Sequence, residues 1–183
     1  FKDNNSLTEL QAHTVERVGH FAFSGCQSLT KITLSKATSL GTDAFYQCTS
    51  LNTISLPQAT SLGQSAFAGC RSLTTVSLPK ANRISSYAFS GCTLLKAISL
   101  PEATSLYFRA FSECAALKHV YLGGFPTLGN ANVFTGTHAD LTIHHHPDHA
   151  MDFANGNWSA LHKNEVIRPF SEPVDLLLEP DGA

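Results

Sequence analysis

Five cysteines stand at Cys26, Cys48, Cys70, Cys92 and Cys114, each 22 residues after the one before, and most apolar residues of the chain keep the same interval. A unit this short cannot bury a core of its own, so its apolar side is buried only against its neighbours. The chain is therefore committed to a stack of coils, in which residues one period apart touch. In such a stack a functional site has to be sought on a surface rather than in a deep pocket.

Aligned on the cysteines, Phe23, Phe45, Phe67, Phe89 and Phe111 precede them by three residues, and Leu29, Leu51, Leu73, Leu95 and Leu117 follow by three. Further columns run through Ile32, Ile54, Val76, Ile98 and Val120, through Leu34, Leu56, Leu78, Leu100 and Leu122, and through Leu40, Leu62, Ile84, Leu106 and Leu128. The unit reads A-F-x-x-C-x-S-L-x-x-I-x-L-P-x-A-x-x-L-G-x-x, and a period between 20 and 29 residues is that of a leucine-rich solenoid.

Segments such as Ile32-Thr33-Leu34 and Val76-Ser77-Leu78 alternate apolar and hydroxylated residues, which predicts one short strand per coil with Ile and Leu inward. Seven strands are expected, beginning near Glu9, Lys31, Thr53, Thr75, Ala97, His119 and Thr142. Pro57, Pro79 and Pro101 follow the strand, where a missing N–H and a fixed φ turn the chain away. The stretch from Gly41 to Cys48 and its equivalents predicts a short helical or irregular turn behind the sheet. The expected fold is thus an α/β solenoid: a right-handed leucine-rich repeat with 22-residue coils, a concave parallel sheet of about seven strands, an irregular or short-helical convex side and a C-terminal helical cap.

Domain boundaries follow from where the columns fail. The solenoid is expected over residues 1–146, the cap over 147–170 and a tail or linker over 171–183. From Leu128 to Phe134 the spacing is one residue longer than from Leu106 to Phe111, and no cysteine follows. Pro147 to Asn155 predicts a helix, with Phe153, Trp158 and Ile167 as the large apolar residues available to cover the end of the stack. Phe1 aligns with Phe23 and Asn4 takes the cysteine position, so the chain is expected to be a fragment or mature segment opening inside a repeat.

The unit A-F-x-x-C-x-S-L-x-x-I-x-L-P, nearly complete in Ala66 to Pro79 and Ala88 to Pro101, resembles the BspA-like leucine-rich repeats of bacterial surface proteins over residues 1–146. The end is similar to that family's close as well, in Phe153, Trp158 and Ile167, while His144-His145-His146 departs from the apolar strand expected there. The resemblance implies a cell-surface adhesin or a host- or glycan-contacting module, secreted or on the bacterial envelope exterior. It implies a scaffold and not a ligand.

Other classes find little support. A net charge of −2 with 14% charged residues leaves no basic stripe for nucleic acid, and no apolar run approaches the roughly 18 residues of a membrane span. The cysteines, odd in number and uniform in spacing, read as buried reduced thiols rather than a disulfide framework. Gly63-Gln64-Ser65-Ala66-Phe67 resembles a nucleophile elbow, but Gly63, Ala66 and Phe67 are repeat positions and Ser65 corresponds to Asp43 and Tyr87. No enzymatic activity and no cofactor are expected.

Nine histidines are the one compositional anomaly, and His144, His145, His146 and His149 lie close together. They read as a polar strand edge; a divalent cation held by His144, His146 and His149 is the weaker alternative. On the concave face the outward rows are small and hydroxylated in the middle, whereas Lys118, His119, Tyr121 and His144 bring hydrogen-bonding and aromatic groups to the C-terminal coils. These four are the candidate contacts for a protein or glycan at a cell surface. The alternative is a structural spacer within a larger surface protein, with no ligand of its own.

Overall fold

The computed structural model describes residues 1–129, 132–145, Trp158 and, for the backbone, Val166–Pro169. Its strands in chain order are β1 (Glu9–Gln11), β2 (Arg17–Val18), β3 (Lys31–Thr33), β4 (Ser39–Leu40), β5 (Thr53–Ser55), β6 (Ser61–Leu62) and β7 (Thr75–Ser77), followed by β8 (Arg83–Ile84), β9 (Ala97–Leu100), β10 (Ser105–Leu106), β11 (His119–Leu122), β12 (Thr127–Leu128), β13 (Thr142–His145) and β14 (Val166–Pro169). They form two parallel sheets. The larger runs β1-β3-β5-β7-β9-β11-β13-β14, the smaller β12-β10-β8-β6-β4-β2. All seven strands expected from the alternation begin at the expected residues, and their register sets Ile32 on Ile54 and Val120 on Ile143.

Two features refine the expectation. The smaller sheet is not legible in the sequence, because a two-residue strand is too short to show alternation; Leu40, Leu62, Ile84, Leu106 and Leu128 read only as an apolar column, and all of them, with Val18, are buried. Of the short-helical or irregular convex side that was expected, the irregular form is found: the turns there are not helical, and no α-helix occurs among the described residues. There Asp43, Phe45 and Gln47 donate their N–H groups to Gln64, Ala66 and Ala68 of the next coil at 2.8–2.9 Å, and later coils repeat this. A helix would direct those donors along its own axis. Residues with positive φ precede the Ala-Phe pair and the cysteine in coil after coil, as at Asp43 (54°), Gln47 (54°), Ser65 (53°) and Gly69 (75°), which turns the chain without helix. Ser65 owes its unusual backbone to this column, not to a nucleophile elbow.

Between the sheets the proline works as expected. Ala59 N–H reaches Leu56 O at 3.2 Å and Ala81 N–H reaches Leu78 O at 3.3 Å, closing turns with Pro57 and Pro79 at the second position.

The interior is a set of ladders. Rings from Phe1 through Phe23, Phe45, Phe67, Phe89 and Phe111 to Phe134 stack with centroids 5.1–5.5 Å apart and planes within 10°. Beside them all five cysteines are free and buried. Each thiol donates to the phenylalanine carbonyl of the preceding coil, from Cys48 to Phe23 O at 3.0 Å and Cys70 to Phe45 O at 3.1 Å through Cys92 to Phe67 O and Cys114 to Phe89 O. The same carbonyl accepts the N–H of the cysteine in its own coil, as Phe45 O does from Cys48 N at 3.2 Å. Cysteine suits the column because it is a small hydrophobe with one weak donor. Burial pushes the thiols of Cys70 and Cys92 well up and that of Cys114 up to about 12, so these stay protonated.

At the C-terminal end Thr137 takes the cysteine position and its hydroxyl donates to Phe134 O of its own coil at 2.8 Å. Trp158, only 2% exposed, lies 6.4 Å from Phe134 and 6.2 Å from Phe125 between ring centroids, and its Nε1–H donates to Pro126 O at 3.0 Å. It therefore sits against the last ring of the ladder. The helix expected over 147–155 lies outside the described residues. The later part of the segment expected to be a helical cap is β14, a strand that pairs in parallel with β13 and sets Ile167 in register with Ile143. A sheet edge with free backbone donors is completed by another strand, which a helix cannot do.

Candidate functional site

Outward positions of the larger sheet form two rows. One passes from Glu9 through Lys31, Thr53, Thr75 and Ala97 to His119 and Thr142; the other from Gln11 through Thr33, Ser55, Ser77, Ser99 and Tyr121 to His144, with Arg168 next in register. Through the first four coils these rows carry no ring and, in the middle, only Thr and Ser. A depression of about 390 Å3 over β3, β5 and β7 is lined by Thr33, Thr53, Ser55 and their neighbours.

The last coils differ. His119 and Lys118 are exposed, and His119 Nδ1 lies 3.1 Å from His144 Nε2. One ring donates to the other, so the facing nitrogens share a single proton. Partial desolvation by its neighbours, and secondarily the Lys118 ammonium, lower His119 from the usual histidine range although its edge stays exposed. Tyr121 stacks on His144 with centroids 4.4 Å apart and planes 13° from parallel. The structure thus brings His119, Tyr121 and His144 into one aromatic cluster, with Lys118 at its border.

Tyr121 is 6% exposed, its ring covered by the imidazole stacked on it, and burial raises its hydroxyl above the usual range. His145 points inward at the column position of Leu122 and is buried. Of the metal candidates, His146 and His149 lie outside the described residues. Among the described residues no three His, Cys, Asp or Glu side chains converge on one point.

Sequence reasoning missed the groove beside this cluster, an open depression of about 660 Å3 where the convex turns of the last coils lead into β9 and β11. Lys96 and His138 stand on its wall with Lys118 and His119. The available signal was the column containing Thr8, Thr30, Asn52 and Thr74, which turns to lysine at Lys96 and Lys118.

Three comparisons with known proteins bear on this arrangement. Residues 1–118 match the model of the BspA type leucine rich repeat region in six copies. No match is found among curated protein sequences. The fold is similar to a leucine-rich repeat protein from Bacteroides ovatus, with a TM-score of 0.63 and 26% identity over 92% of this chain and 53% of that one. A leucine-rich repeat protein from Eubacterium ventriosum is similar at a TM-score of 0.58 and 26% identity, over 71% of this chain and 43% of that one. The chain thus spans about half the length of the structures it matches.

Proposed function

The chain belongs to the BspA-type leucine-rich repeat family, and from that membership and the chemistry of its last coils we propose that it is a non-catalytic recognition module, exported to the cell surface, that binds a protein or glycan there. The observation that carries this reading is the concentration of functional groups at one end of an otherwise uniform face. Lys118, His119 and His144 stand together beside the larger groove, while the central coils present Ser and Thr. The placement outside the cell rests on the resemblance to bacterial surface proteins. Residues 1–146 form the working solenoid in this reading and 147–170 its closure.

The test is a screen of the chain against extracellular-matrix proteins and glycans, repeated with a His119→Ala/His144→Ala double variant and with Ser55→Ala/Ser77→Ala. A partner is expected whose binding falls at least tenfold in the first variant and is unchanged in the second. The hydroxyl rows of the central coils favour a second reading, a spacer that holds other domains apart. That reading is supported if nothing binds, or if binding ignores both variants.

A further inference from the structure

Three columns narrow to alanine within two adjacent coils. The column of Gln27, Thr49, Arg71 and Thr93 narrows to Ala115 before His138, that of Ser28, Ser50, Ser72 and Leu94 narrows to Ala116, and that of Lys31, Thr53 and Thr75 narrows to Ala97 before His119. These three alanines lie in the groove of about 660 Å3. Where the side-chain volume is lost, nitrogen donors arrive. Lys96 and Lys118 are exposed and occupy one column in adjacent coils, and His119 and His138 complete the wall.

His138 Nδ1 accepts the Asp140 N–H at 3.0 Å, so its neutral ring carries the proton on Nε2 and offers a donor there. The Asp140 carboxylate, 3.7 Å from His138 Nδ1 and 81% exposed, sets one negative charge against two lysines. The groove thus combines a methyl floor, two ammonium groups one coil apart and imidazole edges.

We propose that this groove binds the uronate residues of an acidic polysaccharide. A pyranose ring has an apolar C–H face that fits the methyls of Ala97, Ala115 and Ala116, and its hydroxyls accept from His138. Adjacent coils lie about 4.8 Å apart, so Lys96 and Lys118 set two cationic points within reach of carboxylates on one acidic oligosaccharide. A protein partner fits less well: protein hot spots are Trp, Tyr or Arg held in desolvated pockets, and this groove is open, floored by alanine and cationic. The proposal rests on the recognition reading above and names the ligand class of that surface.

Titration calorimetry with tetragalacturonate, its fully methyl-esterified form and hexaglutamate tests it on the chain, on a Lys96→Ala/Lys118→Ala variant and on Ala115→Trp. Tetragalacturonate should bind. Its affinity should fall at least tenfold on esterification or in the lysine variant, be lost in Ala115→Trp, and weaken severalfold between about 50 and about 200 mM salt. Absence of tetragalacturonate binding, equal binding by the lysine variant, or hexaglutamate binding as tightly to the same lysines overturns the proposal. If tetragalacturonate fails while the screen still yields a partner sensitive to His119 and His144, the ligand class falls and the recognition reading stands.

Discussion

The coils from Gly19 to Leu106 and the coils that follow Cys114 are made from the same columns and use them differently. In the first region every buried column repeats faithfully, each thiol bonds the coil before it, and the outward rows are mostly hydroxyls. In the second, Thr137 bonds within its own coil, His145 takes a leucine position, and the outward row becomes Tyr121 and His144. The repeated region is held by identity between neighbours, so it has little freedom to carry a specific site. Where identity lapses, side chains are free to differ: the aromatic cluster lies there, and the groove spans the boundary, with Lys96 and Ala97 on one side and Ala115, Lys118 and His138 on the other.

The end of the stack should be where stability is most easily lost. Burial of a Trp side chain is worth roughly 4 kcal/mol as an upper bound, and truncation after Pro147 removes Trp158 and β14 together. We expect aggregation or a melting temperature lower by about 10 °C or more. A truncated chain that stays monomeric and equally stable would show that the last coil needs no closure.

The thiol ladder predicts a loss of stability at high pH in the regular region. In the unfolded chain the thiols ionise near pH 8.5, but burial raises those of Cys70, Cys92 and Cys114 in the fold. Their contribution is therefore complete below about pH 8.5 and is lost as pH rises toward the folded values. Three such groups approach about 4 kcal/mol per pH unit. Denaturant midpoints from pH 8 to 11 measure it, and Cys92→Ala should reduce the slope by about a third. An unchanged slope in that variant would refute the account. At neutral pH the native thiols should react slowly and the denatured, unreduced chain should show five.

Central core positions come next. Leu78→Ala or Ile98→Ala should cost about 2–5 kcal/mol, since each removes a rung buried between two coils. Ser77→Ala, on the outward row, should change stability by no more than about 0.5 kcal/mol. Equal costs at Leu78 and Ser77 in urea titrations would break the distinction between ladder and surface.

The period, the ladders and the larger sheet are legible in the amino-acid sequence alone. Every contact that makes them joins a residue to its counterpart in the adjacent coil, so alignment of the chain on itself predicts the packing. Trp158 could be placed at the end of the stack for the same reason: the exposed ladder needs an apolar cover. The rest depends on how the coils pack. The smaller sheet consists of two-residue strands whose hydrogen bonds exist solely between coils, and the convex turns replace helix with left-handed residues whose N–H groups serve the next coil. Tyr121 read as outward and proved covered, because stacking on His144 depends on how two side chains settle and not on their register. The groove emerged from alanines in three columns meeting lysines in a fourth, a coincidence of volume and charge visible only after the coils were stacked.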